Sequence, residues 1–401
     1  MSAFLIVGGG QAATSLAEKL RTLGAEGTIT ILGDEPVPPY ERPPLSKAYL
    51  LGDMAQERLF LRPAAIYAEK GITLRLGLRA TAIDPLSKTV VADGEILAYD
   101  RLALVTGSTP IRLPASIGGD LEGVHTVRTL ADIDGMAARF TPKARVLVVG
   151  GGYIGLEAAA VAAKLGLQVT LVEQADRILG RVAAPETADV IRAKHRGQGV
   201  DIREGVGLAR LTGDTSVRQA ELSDGTALDV DFVIVGIGIR PATGLAADAG
   251  LTIDNGIAVD AFGRTSAADI WAAGDCASFP YHGTRLRLES VQNAIDQAET
   301  VAANMLGSET AYEPVPWFWS DQYDLKLQIA GLNLGYDQVV ARGAGEQVSH
   351  WYFEGDRFLA VDAINAPRDF MVGKRLLEAG KSVSAAAIAD PSTDLKALLR
   401  G

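Results

Sequence analysis

The chain has 401 residues, 48% of them hydrophobic, enough for two or three domains with proper cores. Its formal net charge of −11 argues against nucleic acid or an anionic membrane as the main partner. The single cysteine, Cys276, excludes an intrachain disulfide and any multi-cysteine metal or cluster site, and His125, His195, His282 and His350 lie too far apart for metal-ligand spacing.

The N-terminal stretch AFLIVGGGQAATSLAEKLRTLGAEGTITILGDE reads as strand, glycine turn, helix, strand and acid. Gly8, Gly10 and Ala13 occupy the three small-residue positions of the dinucleotide fingerprint, with Asp34 and Glu35 at the end of the second strand. MSAFLIV lacks a charged n-region, so it is expected to be a first strand and not a signal peptide. No apolar run approaches a membrane span, and the protein is expected to be cytoplasmic. The following EPVPPYERPPLSKAYL reads as a stiff, extended proline loop carrying Arg42 and Lys47. Residues 72–106 read as a small β-insert with a hairpin turn at Asp93-Gly94.

RVLVVGGGYIGLEAAAVAAKLGLQVTLVEQADR, from Arg145 to Arg177, repeats the opening pattern in a fuller form. RVLVVG is a strand buried on both faces. Gly150, Gly152 and Gly155 provide the tight turn, the close approach of a pyrophosphate and the helix–strand contact. The alanine-rich helix points unpaired N–H groups at that phosphate. Glu173 stands where a carboxylate takes ribose hydroxyls and repels a 2′-phosphate, which favours NADH; Arg177 and Arg181 are the side chains that would counter it. The fingerprints lie a domain's length apart, which implies two nucleotide sites, one passing electrons to the other.

Further on come a helix at Glu186–Arg196, a strand VDIREG, amphipathic strands to Leu228 and a buried strand in VDFVIVGIGIRP. Asp275 follows Gly274 at a strand tip, suited to hydrogen bonding a polar chain. LESVQNAIDQAETVAANML reads as an amphipathic helix with Leu288, Val291, Ile295, Ala298 and Ala302 along one face. From about Thr310 the pattern becomes an antiparallel sheet with flanking helices, and Trp317, Phe318 and Trp319 cannot all face one core. The expected fold class is α/β, with two Rossmann-like nucleotide-binding domains and a C-terminal α+β domain. The expected boundaries are 1–108 and 237–310 for the first domain, 109–236 for the inserted second and 311–401 for the third.

Tyr40–Lys47 (YERPPLSK), Gly150–Glu157 (GGGYIGLE), Ala272–Cys276 (AAGDC), Glu289–Ala294 (ESVQNA) and Pro316–Gln322 (PWFWSDQ) together resemble the FAD-dependent NADH:ferredoxin reductases of the putidaredoxin-reductase and palustrisredoxin-reductase type. The resemblance spans essentially the whole chain. It implies FAD in the first fingerprint, with Gly8, Gly10, Ala12 and Ala13 at the pyrophosphate, Asp34 on the adenosine ribose, Ala80 by the adenine and Arg128 near the pyrophosphate. It further implies Asp275 on the ribityl chain, Val291 under the flavin pyrimidine edge, and NADH on Gly150, Gly152, Gly155 and Glu173. Lys47, paired with Glu157, and Trp319 would serve the reacting rings, which must stack at roughly 3–3.5 Å. Arg42 receives no role from it.

The implied activity takes hydride from NADH and passes electrons singly to a small 2Fe–2S ferredoxin that supplies a haem monooxygenase, in a monomer or weak homodimer. In the wider superfamily, disulfide reductases carry a redox cysteine pair and peroxide-reducing members a single cysteine soon after the first ribose acid; no cysteine lies between Asp34 and Leu50, so the resemblance implies neither chemistry here. Arg285, Arg287, Arg368, Lys374, Arg375 and Lys381 are the candidate ferredoxin-docking cations. A rubredoxin or another one-electron acceptor on the same scaffold, and a binding flavoprotein resembling the apoptosis-inducing factors, remain alternatives.

Overall fold

The computed structural model describes residues 2–400, so Met1 and Gly401 lie outside the described residues. The chain forms two compact units. One comprises Met1–Arg42, Met54–Thr109 and Ile239–Pro314; the other comprises Pro43–Asp53, Pro110–Gly238 and Val315–Gly401.

The first unit is built on a parallel sheet with the strand order Ile270–Ala272, Arg101–Leu104, Ser2–Val7, Gly27–Leu32 and Ile72–Arg75. Ser2–Val7 is central because both faces of its pleat are apolar. Phe4 and Ile6 enter one core, Leu5 and Val7 the other. Helices Gln11–Thr22 and Val291–Met305 close the first core with small side chains, among them Ala13, Ala17, Ala298 and Ala302. The opposite core is covered by the meander Ala80–Asp84, Thr89–Ala92, Glu95–Ala98. Its hairpin turns at Asp93 (φ +46°) and Gly94 (φ +87°), the backbone that a two-residue type I′ turn requires.

The expected face of the 291–305 helix is corrected. Ala294, Gln297, Ala298, Val301, Ala302 and Met305 are buried, while Val291 and Ile295 are only half-buried. The rotation follows from Gln297, whose carboxamide oxygen accepts the Gly274 N–H at 2.8 Å. A polar side chain is thereby satisfied inside the core.

The second unit holds another parallel sheet, ordered Asp201–Glu204, Gln168–Glu173, Arg145–Val149, Phe232–Val235 and Val124–Thr126. Helix Tyr153–Lys164 packs on it and is buried from Gly155 to Ala162. An antiparallel sheet follows, ordered Trp317–Gln322, Leu325–Gly331, Arg357–Ile364, Gln347–Glu354 and Gln338–Ala344, with helix Pro367–Glu378 against it. The segment read as extended is corrected in part: Pro43–Ser46 is a 3-10 turn. Proline lacks only the N–H groups that a first helical turn leaves unused, and the Lys47 and Tyr49 N–H groups both donate to the Pro44 carbonyl at 3.0 Å. Among the described residues no helix is long and apolar enough to cross a membrane.

A buried carboxylate joins helix Pro185–Gly197 to the antiparallel sheet. Asp362 is 1% exposed and accepts from the Thr187 hydroxyl at 2.9 Å and from the Tyr352 hydroxyl. Burial nevertheless pushes its carboxyl up to about 7. A folded value above the unfolded one means that this group's stabilising contribution is complete below about pH 4 and is lost as pH rises through 7. Asp362→Asn should therefore gain stability over the parent between pH 6 and pH 8, by on the order of 1 kcal/mol. Thermal unfolding at the two pH values is the check, and parallel pH dependences would contradict it.

Candidate functional site

In the first unit the fingerprint loop leaves the central strand at Gly8, whose φ is +128°. A Cβ there would stand 2.2 Å from the Val105 carbonyl oxygen, so only glycine fits. Gly10 differs: a Cβ on it meets nothing within 4 Å, and no side chain caps the helix that it begins. The loop thus presents uncapped N–H groups beneath open space, a cradle of the polarity that a pyrophosphate requires. Ala13 is fully buried and Ala12 nearly so, and Gly274 (φ +79°) approaches Ala12 with its would-be Cβ 3.4 Å from the Ala12 methyl.

That approach brings Asp275 to the same end of the sheet. Its Oδ2 accepts from Ser108 Oγ at 2.8 Å. Asp34 is exposed just after Gly33, which touches Gly9 of the loop. Val291 is half-buried at the first turn of its helix, after the Ser290 cap. Ala80 is half-buried where the meander starts. Arg42 closes a cluster of its own. Its guanidinium bonds Glu35 at 2.7 Å and the Tyr40 hydroxyl at 3.0 Å, and lies over the Tyr40 ring.

The second unit repeats the loop with stricter sterics. A Cβ on Gly150 (φ +107°) would meet the Gly236 carbonyl oxygen at 2.4 Å, and one on Gly155 the Gly150 carbonyl oxygen at 2.1 Å. Gly152 again faces open space at an uncapped helix start. Glu173 lies against this loop: Oε2 accepts the Gly151 N–H at 2.7 Å and Oε1 the Ala175 N–H at 2.8 Å. Each oxygen keeps a lone pair for a ribose hydroxyl, while a phosphate would face an anion. Arg177 donates to the Ala183 carbonyl at 2.7 Å, so swinging onto a 2′-phosphate would cost it that bond; Arg181 is exposed. Arg128 is half-buried just before helix Leu130–Ala137.

Lys47 and Glu157 meet in this unit. Lys47 Nζ lies 2.9 Å from Glu157 Oε1, and Glu157 is 5% exposed. Ser46 Oγ donates to Oε2 at 2.8 Å and Ser320 Oγ to Oε1 at 2.7 Å. Ser320 belongs to the strand that carries the three aromatics. Phe318 packs on Tyr153 with ring centres 4.8 Å apart. Trp317 and Trp319 share the other side of the strand at 5.7 Å, and all three aromatics remain half-buried. Sequence reasoning assigned nothing to Ser46, Ser108, Gln297 or Ser320. Ser46 and Ser320 lie within YERPPLSK and PWFWSDQ, but a hydroxyl carries no pattern that marks its partner.

Gly155→Ala should force the helix off its strand, destabilise the protein by about 1–3 kcal/mol and weaken coenzyme binding. Gly152→Ala should cost less than about 1 kcal/mol, the difference between glycine and alanine at a helix N-cap, and raise the KM for the coenzyme, because its methyl occupies only the open cradle. Melting curves and steady-state kinetics of the two variants separate these outcomes.

Residues 2–298 match the pyridine nucleotide-disulphide oxidoreductase family and residues 317–399 match the reductase C-terminal domain. The chain is 45% identical to a ferredoxin–NAD(P)(+) reductase of a Sphingomonas species, over 98% of this chain and 96% of that protein. It is 41% identical to the putidaredoxin reductase of Pseudomonas putida, over 98% and 96%. Among solved structures it superposes on the reductase of the covalent putidaredoxin reductase–putidaredoxin complex with a TM-score of 0.96 and 40% identity, covering 100% of this chain and 98% of that one. Two glycine cradles, a carboxylate at each second strand's end and these matches lead to one conclusion: the chain belongs to the pyridine nucleotide-disulphide oxidoreductase family, with a reductase-type C-terminal domain.

Proposed function

We propose that the chain is an NADH-dependent flavoprotein reductase that delivers electrons one at a time to a small 2Fe–2S ferredoxin serving a haem monooxygenase in the cytoplasm. The observation that carries this reading is the pair of open cradles, at Gly10 and at Gly152, in one chain. FAD, when bound, supplies the exchange between a two-electron hydride donor and single electrons. One NADH and two oxidised ferredoxins give NAD⁺, one proton and two reduced ferredoxins.

Residues 1–108 and 237–310 are assigned to FAD, 109–236 to NADH and 311–401 to the C-terminal domain. Gly8, Gly10, Ala12, Ala13 and Arg128 hold the flavin nucleotide's pyrophosphate, Asp34 its adenosine ribose and Ala80 its adenine. Asp275, already oriented by Ser108, takes the ribityl hydroxyls, and Val291 the pyrimidine edge. Gly150, Gly152, Gly155 and Glu173 hold NADH. Lys47 is the cation assigned to charge that builds up on the reacting rings. Glu157 fixes the ammonium, and Trp319 covers the site.

Removing Lys47 leaves Glu157 buried with only the two serine donors. Lys47→Ala should slow NADH-driven bleaching of the flavin about tenfold or more in rapid mixing, as loss of a charge-assisted bond implies. An unchanged rate would remove Lys47 from the mechanism. Glu173 predicts a kcat/KM for NADH at least tenfold above that for NADPH, narrowed in Glu173→Ala; about tenfold corresponds to one hydrogen bond gained or one repulsion avoided.

Helix Pro367–Glu378 supplies the docking face, with Arg368, Met371 and Arg375 exposed and Lys374 over the Trp317 ring. Arg285 and Arg287 are committed elsewhere. Arg285 donates to the Val259 and Ser278 carbonyls and Arg287 to the Asp275 carbonyl. Ferredoxin reduction should therefore slow as salt rises, and Arg368→Glu with Arg375→Glu should raise the KM for ferredoxin with kcat for a small-molecule acceptor unchanged. Turnover with a panel of purified redoxins tests the acceptor itself, and faster reduction of rubredoxin than of any 2Fe–2S ferredoxin would overturn that assignment.

A further inference from the structure

Behind the Lys47–Glu157 pair, side chains from three elements form a hydrogen-bonded line with a single polarity. Ser320 Oγ lies 2.7 Å from Glu157 Oε1 and 3.2 Å from Gln322 Nε2. Gln322 Oε1 lies 2.8 Å from His195 Nε2, and His195 Nδ1 lies 3.4 Å from the Tyr323 hydroxyl. Ser320 and His195 are 0% exposed and Gln322 2%, so water does not substitute for the links from His195 to Glu157; Tyr323, at the outer end, is half-buried.

The direction of every link follows from proton counting. A carboxylate only accepts, so Ser320 spends its one hydroxyl proton on Glu157 and must accept from the next group. That fixes the carboxamide of Gln322 with its nitrogen towards Ser320 and its oxygen towards His195. His195 then carries its proton on Nε2. Burial pushes the imidazole down to about 4, so it is neutral at pH 7 and Nδ1 is left to accept from Tyr323. Tyr323, His195, Gln322 and Ser320 thus each donate towards Glu157, and bonds aligned head to tail strengthen one another.

We propose that His195, Gln322 and Ser320, with Tyr323 at the far end, are positioning residues for the reaction. They form a one-way donor line that fixes the Glu157 carboxylate and, through it, the Lys47 ammonium. The inference rests on the reading in which Lys47 and Glu157 serve the reacting rings. It makes His195, on helix Pro185–Gly197 and three hydrogen bonds from Glu157, a determinant of hydride transfer. Packing alone does not require this: a local anchor would need only Ser46 and Ser320.

Two amides separate the line from simple space filling. Glutamine places its amide nitrogen near the Nε2 position of histidine, and asparagine near Nδ1. His195→Gln should keep NADH-driven flavin reduction within about twofold of the parent, whereas His195→Asn and Gln322→Met should slow it about tenfold, the factor for a weakened bond to a charged group. The flavin midpoint potential should shift in His195→Asn and Gln322→Met and not in His195→Gln. Equal rates and potentials in all variants would overturn the line.

Long-range proton–nitrogen correlation on the FAD-bound parent needs no variant. It should show the Nε2–H tautomer for His195, and an Nδ1–H tautomer would also overturn the line. A parent whose flavin NADH fails to bleach would instead refute the proposed function.

Discussion

Burying Glu157 to 5% exposure strips an ionised carboxylate of its water, and the fold must supply donors in return. Three arrive: an ammonium and a hydroxyl from the proline turn, and a hydroxyl from the strand Trp317–Gln322. The helix that carries Glu157 is the one that the second glycine loop begins. Second glycine loop, proline turn and aromatic strand are therefore tied at one atom group, and none can shift without leaving the carboxylate short of a partner. This explains why Pro43–Asp53 groups with the second unit although the chain before it belongs to the first.

The parallel sheets and their glycines were legible because they follow from rules that act over short stretches. RVLVVG and AFLIVG are apolar on both pleat faces and both are central strands. Asp93-Gly94 demanded positive φ and has it. The structure departs from these local rules at two places. Pro43 and Pro44 forbid a helix interior but permit its first turn, which is what they form. Val291 and Ile295 are apolar, which predicts them in the core, yet Gln297 takes an inward position because the Gly274 N–H needs an acceptor.

The donors around Glu157 were illegible for a different reason. Ser46 lies within YERPPLSK and Ser320 and Gln322 within PWFWSDQ, but hydrogen-bond partners far apart in sequence leave no periodic trace. Glu157 itself looked electrostatically content at the start of a helix. Only the register of the antiparallel sheet, with Ser320 opposite Leu327 and Gln322 opposite Leu325, shows which hydroxyl and amide turn inward together.

The two glycine loops share one further feature. Gly8 abuts the Val105 carbonyl oxygen and Gly150 the Gly236 carbonyl oxygen, in each case backbone immediately after the neighbouring strand, which no rotamer change can move aside. Every first- or second-base change in a glycine codon yields a larger residue or a stop. No amino-acid replacement at these two positions is therefore neutral, and one at either must wait for compensating movement of a whole strand.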